Sequence, residues 1–242
     1  MKKLLLFTLL LVSTLIADEA HDIMKKIDDN MRGQNIYLKM SMTIHSQGHT
    51  RTMKMKSWSK GTKKSFVKTI YPPKDRGITF LSLDNQMWQY VPKIERVIKI
   101  PPSMMLQNWM GSDITNDDMV KQSSIVEDYD PKILSREGSI VTIELIPKED
   151  APVVWGKIVS RIDIKTYTSE KDIFYDEDGE VVRTFYYFDV KKLGKYHIPT
   201  YWKLQPEDKP NNYTEIRLED IAYDQEISDA YFRKSALKRF SR

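Results

Sequence analysis

The residues with the most chemistry to offer are few. Four histidines occur, His21, His45, His49 and His197. His45 and His49 flank Ser46-Gln47-Gly48, a tight turn that brings two imidazoles near each other. A zinc site would require a further ligand and a supporting shell, so hairpin histidines are the simpler reading. Asp113, Asn116, Asp117 and Asp118 form an acidic run, but its spacing does not match a calcium loop. Thr115 with Asp118 reads instead as a capping box that opens a short helical turn. Signatures of a serine-hydrolase elbow, a phosphate loop, a dinucleotide fold and a zinc protease are absent. With no cysteine, disulfides, thiolate metal sites, iron–sulfur clusters, a cysteine nucleophile and an N-terminal lipid-bearing cysteine are excluded.

What remains is soft apolar surface. The chain has 12 methionines and 5 tryptophans in 242 residues. Met104, Met105, Leu106, Trp109 and Met110 crowd the segment between Pro102 and Gly111, which reads as a short helix. Methionine is flexible and polarizable, so such a segment suits a pocket that accepts chains of variable shape. The same residues would also serve to cap an ordinary core.

The elements that must carry these residues follow from periodicity. Met1-Lys2-Lys3 and the apolar run Leu4 to Ile16 have the form of a signal peptide over residues 1–17, too short to span a bilayer as a helix. Discounting Lys2 and Lys3, 36 basic residues face 34 acidic ones, too even a balance to predict nucleic-acid binding. The mature chain, 18–242, is expected to be a single exported domain of the periplasm. Ala20, Ile23, Met24, Ile27 and Met31 recur at helical spacing before Gly33. From Gln34 the period changes to two, and about eleven or twelve short strands follow, mostly joined by hairpin-length turns. Pro101-Pro102 interrupts them with a helical insertion near 101–121. The fold class expected is mainly β, an incomplete antiparallel barrel with a helical lid, since so wide a sheet must curl. Such a curl leaves an interior that side chains need not fill.

Two motifs resemble a known family. Asp84-Asn85-Gln86-Met87-Trp88-Gln89-Tyr90-Val91-Pro92 resembles the D-G-x-x-x-W-x-Y-x-P stretch of LolA-type periplasmic lipoprotein carriers, with Asn85 in place of glycine. Asn is a residue that also accepts positive φ. Asn108 to Asp118, N-W-M-G-S-D-I-T-N-D-D, resembles a signature of the LolA-like outer membrane lipoprotein-sorting branch. The order of leader, helix, strands, insertion and strands agrees over the whole mature chain. Pro147 to Gly156 and the acidic insertion set the chain apart from the founding carriers.

The resemblance implies a hydrophobic cavity for acyl chains and no enzymatic activity or cofactor. It implies acylated lipoprotein or lipid as cargo, with an inner-membrane transporter and an outer-membrane receptor as partners. An accessory role beside an RND-type exporter is the alternative, and a metal-dependent envelope hydrolase a remote one. The residues expected to contact lipid are Trp58, Phe66, Phe80, Trp88 and Tyr90 as walls, with Met104, Met105, Leu106, Trp109 and Met110 as lid. A one-residue slip in strand parity would reverse the wall assignments. Arg51, Lys60, Lys63 and Lys64 offer charge to anionic head groups or a membrane partner, but read more simply as a solvated edge that discourages sheet-to-sheet pairing.

Overall fold

The computed structural model describes residues 19–121, 125–151 and 153–242. The expected leader, residues 1–17, lies outside them. Helix α1 runs through residues 19–32 and ends where Gly33 takes a left-handed φ of +58° and its N–H bonds Asp29 O. A Cβ at Gly33 would stand 2.8 Å from Asp224 Oδ1 and 2.9 Å from the Tyr223 ring, so only glycine fits there.

Among the described residues, thirteen strands follow in one continuous antiparallel sheet. The first six are β1 (Asn35–Ser46), β2 (His49–Lys60), β3 (Lys64–Tyr71), β4 (Thr79–Leu83), β5 (Gln86–Val91) and β6 (Arg96–Ile100). After the insertion come β7 (Tyr129–Glu137), β8 (Ile140–Pro147), β9 (Lys157–Asp163), β10 (Thr168–Tyr175), β11 (Val181–Leu193), β12 (Tyr196–Pro206) and β13 (Tyr213–Tyr223). Their spatial order is β6-β5-β4-β3-β2-β1-β13-β12-β11-β10-β9-β8-β7. Two meanders are therefore joined through the β1–β13 pairing, where Ile36 faces Tyr223 and His45 faces Tyr213.

The mainly-β fold expected from the sequence as an incomplete antiparallel barrel of about eleven or twelve strands is observed as an open sheet of thirteen, not closed into a barrel. The periodicity does not single out β7, whose burial alternates only over its first half and which contains Pro131. Proline cannot donate to a ladder, and β7 is an edge strand that tolerates it. The turn at Asp84-Asn85 has φ of 48° and 64°, so the asparagine adopts the left-handed conformation a glycine would supply.

Register shifts interrupt the pairing at Lys39/Met40, Lys54/Met55, Ile133/Ser135, Ser169/Lys171 and Phe174/Tyr175. Such bulges bend and twist strands. They let the sheet curl so that residues from both meanders converge on its inner face. A large cluster there includes Met42, Met53, Met55, Phe80, Trp109, Ile198 and Trp202. A second cluster packs α1, through Ala20, Ile23 and Met24, against Val141, Ile143, Leu145, Ile158 and Ile162.

The outer face of β2–β5 is covered by the C-terminal segment. A 3-10 turn at Asp229–Phe232, capped by Ser228, leads into α4 (Lys234–Arg239). Phe232, Ala236 and Leu237 pack on Phe66, Leu81, Trp88 and Tyr90. Tyr231 stacks on Trp58 at 4.6 Å and on Phe240 at 4.5 Å. Thr79 Oγ1 donates to Leu237 O, and Ser241 Oγ donates to Gly77 O, which pins the C-terminal end of the segment. Leu237 is fully buried. Leu237→Ala should therefore destabilise the protein by about 2–5 kcal/mol, read as a lower denaturation midpoint. The inner face should be unaffected, which tryptophan-independent dye binding to the refolded protein will report.

Candidate functional site

A hollow of about 260 Å³ opens between the inner face and the elements laid across it. For scale, an engineered apolar cavity of about 150 Å³ in another protein takes up benzene. Its walls come from β1, β2, β9, β10, β11, β12 and β13, with α1 and the insertion as cover. Apolar side chains dominate, and methionines are prominent among them: Met24 and Met31 from α1, Met40, Met42 and Met55 from the strands, Met119 from the insertion. Soft side chains leave a lining that adapts to what fills it.

The insertion is held in place by polar contacts at its far end. Helix α2 (Asn116–Lys121) opens with the capping box read from the sequence. Asp118 Oδ2 accepts from the Thr115 N–H and hydroxyl, and the Asp118 N–H donates back to Thr115 Oγ1. The same Asp118 receives a bidentate pair from Arg183 of β11, at 2.5 and 2.7 Å. Arg183 is 4% exposed, and its guanidinium lies 4.3 Å from the Trp155 ring centroid and 4.7 Å from that of Phe174. The flat cation is thus stacked on aromatic faces while its fork grips a carboxylate. Asp113 Oδ2 accepts from Thr214 Oγ1, Asn116 Nδ2 donates to Met104 O, and Arg51 Nη1 donates to Met110 O. The acidic run accordingly builds the insertion.

The segment before α2 departs from the helix expected over Ser103 to Gly111. It forms two single 3-10 turns, Pro102–Met104 and Trp109–Gly111, and a bridge between Asn108 and Thr115. Met110 and Gly111 both have positive φ, which a continuous α-helix cannot contain. A further short helix, α3 (Ile125–Asp128), precedes β7.

Of the residues expected to contact lipid, Trp109 lines the hollow and is 2% exposed. Its ring meets Phe80 at 5.1 Å, so Phe80 buttresses the wall from behind. Met105 and Met110 pack against the same cluster, while Met104 and Leu106 face outward, Leu106 at 58% exposure. Trp58, Phe66, Trp88 and Tyr90 stand on the outer face, beneath the C-terminal segment. The reason is parity. On β2, Met53, Met55 and Ser57 point inward and Trp58 outward; on β5, Met87 points inward and Trp88 outward. His45 has its own partners, Glu215 at 3.1 Å and a stacked Tyr213 ring at 4.2 Å.

The structure also places polar side chains in the hollow that the sequence pattern did not single out. Asp28 and Arg32 of α1 pair at 2.5 Å on its rim. Burial holds the Asp28 carboxyl above its usual range, with Arg32 pulling against it. Deeper, Asp172 of β10 lies on the wall, opposite Ser160 of β9 and Phe185 of β11. Burial raises its carboxyl above the ordinary carboxylate range, while the Ser160, Tyr187 and Ser169 hydroxyls around it act in the other direction. Tyr187 is itself pushed well up by burial and by Asp172. A Lys-Asp pair reads as an outward surface; only the register, which turns Asp172 inward beside Phe174 in the middle of β10, reveals it.

A family model described as "-like: Uncharacterized protein" matches residues 61–239. No curated protein matches the sequence. Among solved structures, the chain is similar to a DUF1329 family protein from Desulfovibrio piger, with a TM-score of 0.84 and 22% identity over 92% of this chain and 99% of that one. It is similar to a putative outer membrane lipoprotein-sorting protein domain from Vibrio parahaemolyticus, with a TM-score of 0.81 and 21% identity over 92% of this chain and 100% of that one. A LolA superfamily protein from Nitrosomonas europaea matches with a TM-score of 0.75 and 19% identity, over 90% and 98% of the two chains. The fold is LolA-like.

The buried carboxyl has a pH signature. Because its folded-state pKa lies above the unfolded one, the stability it allows is fully present at low pH and is lost as pH rises through the folded value. Asp172→Asn cannot ionise. It should melt above the wild type by about 2–4 °C at pH 8, the shift that one kcal/mol produces in a chain of this size. The gap should close as pH falls to about 4, in thermal melts across that range.

Proposed function

We propose, from the premise that the chain belongs to the family matched over residues 61–239 and carries the LolA-like fold, that it is a non-catalytic carrier of acyl chains in the bacterial periplasm. The observation that carries this reading is the hollow: about 260 Å³, apolar and methionine-rich, between a curled sheet and the segment laid over it. Its cargo is the acyl portion of a lipoprotein or a lipid, the role printed for the Vibrio parahaemolyticus structure being lipoprotein sorting. The leader-like residues 1–17 support export to the periplasm. Among the described residues no helix is long and apolar enough to cross a membrane.

The energetics suit shuttling. Burying about ten methylenes gains at most ~8 kcal/mol, at ~0.8 per methylene. Ordering of the chain and of the flexible methionine lining offsets part of that, which leaves an affinity that shelters cargo yet permits its delivery. Trp109 closes one side of the hollow and Met42, Met55 and Trp202 form its floor. An acyl chain seated there replaces contacts that the open volume forfeits.

Ser57 offers a clean test, because its small side chain lines the hollow and is buried among apolar neighbours. Ser57→Phe should fill the volume. In native mass spectrometry of protein purified from the periplasm, wild type should carry acylated mass adducts and Ser57→Phe should lose at least tenfold of that occupancy. Circular dichroism of the variant should match the wild type. Equal occupancy in both proteins, or no adduct on either, would count against carriage.

A further inference from the structure

An all-hydrocarbon hollow would need no polar group in its wall, yet this one places Asp172 there. Its Oδ1 is buried and has no hydrogen-bond partner, in a setting where an unpaired polar atom is costly. Ser160 faces it across the β9–β10 ladder, Ser169 lies on its own strand and Tyr187 approaches from β11. Asp172, Ser169 and Tyr187 therefore meet on the wall of the hollow, with Ser160 buried beside Asp172 on the neighbouring strand.

We propose that Asp172, with the Ser169 and Tyr187 hydroxyls and with Ser160 supporting it from the neighbouring strand, is a docking point inside the hollow for the uncharged, hydroxyl-bearing head of an amphiphile whose chain occupies the apolar remainder. This rests on the carrier reading and narrows it to a cargo class. A hydroxyl both donates and accepts, so it can satisfy Oδ1 and accept from a neighbouring hydroxyl in turn. Charge excludes the commonest alternative head, a carboxylate. Asp28, Asp117, Asp118 and Asp172 all line the hollow. Among its described lining residues Arg32 is the cation, and it is paired with Asp28. Arg183, just behind the wall, is committed to Asp118. A fatty-acid anion would enter a site of its own sign with no cation released to meet it. The unpaired state of Oδ1 then has an explanation, a partner that arrives with the ligand.

The test is displacement of the fluorescent dye N-phenyl-1-naphthylamine by three probes of equal chain length: 1-decanol, decyl methyl ether and decanoate. In wild type, 1-decanol should displace the dye at about tenfold lower concentration than either of the others. The ether lacks the donor and decanoate carries the wrong charge. Asp172→Leu, with each displacement referred to that variant's own dye affinity, should bring 1-decanol within twofold of the ether, whereas Asp172→Asn, which keeps an acceptor, should retain most of the preference. Ser160→Ala should weaken it by an intermediate factor. If wild type takes up dye and shows no preference for the alcohol, or Asp172→Leu retains that preference, the docking point is wrong and the carrier reading stands. If neither dye nor any probe enters, both fall together.

Discussion

The chain leaves the sheet at one edge, through β6, and re-enters it at the opposite edge, through β7. Everything between must cross the width of thirteen strands. Laid flat, that width is roughly 58 Å at about 4.8 Å per strand spacing. The connection is 28 residues long and spends its described part in compact turns and short helices, so it closes only if the sheet curls beneath it. Curl and crossing segment therefore require each other. Bulges supply the bend, and the inner face becomes a trough with a strap across it. The hollow is the space left between the two.

The strap holds its place through directional polar contacts added to the packing of Trp109, Ile114 and Val120 in the main cluster. Asp118 is used twice, as the far member of the capping box and as the partner of Arg183. Removing it would uncap α2 and leave a guanidinium buried without a counter-charge, a combination far more damaging than either alone. Stacking of Arg183 on Trp155 and Phe174 ties the Pro147–Gly156 excursion to the same anchor. Thr214 and Arg51 add one fastening on each meander, and Asn116 ties the strap to itself through Met104 O. With the strap fixed by such contacts, the volume below it is free to be lined by methionines that need not interlock. Rigid polar fastenings above and soft apolar walls below give a chamber that keeps its opening without dictating its contents.

Much of this was legible from the residues. The apolar period of three to four in α1, the alternation of the strands, the Pro101-Pro102 break and the Thr115–Asp118 cap each depend on local physics, and each is observed. The two motifs resembling LolA-type carriers pointed to the same sheet. Face assignment was another matter. Strands of an open sheet covered on both sides bury alternate residues toward different clusters, so Trp58, Phe66, Trp88 and Tyr90 carry the same apolar signal as Met53, Met55 and Met87. What separates them is the C-terminal segment, which claims the outer face of β2–β5 and cannot be located by periodicity. Arg183 and Asp172 escaped for the complementary reason, since a charged residue in a strand reads as solvent-facing until its neighbours are known. Arg183, flanked by Val181, Val182 and the aromatic run Phe185 to Phe188, was the position where a charge in an apolar stretch gave a usable warning.

The central claim is that the trough under the strap, and no other surface of the molecule, receives an alkyl chain. Anomalous diffraction from crystals grown with a terminally brominated decyl amphiphile tests it most directly. The account predicts one bromine peak within the volume bounded by Trp109, Met42, Ile198 and Trp202, with the strap still anchored on Arg183. A trough filled by its own side chains, with bromine found only along the β6 or β7 edge or against the C-terminal segment, would contradict it.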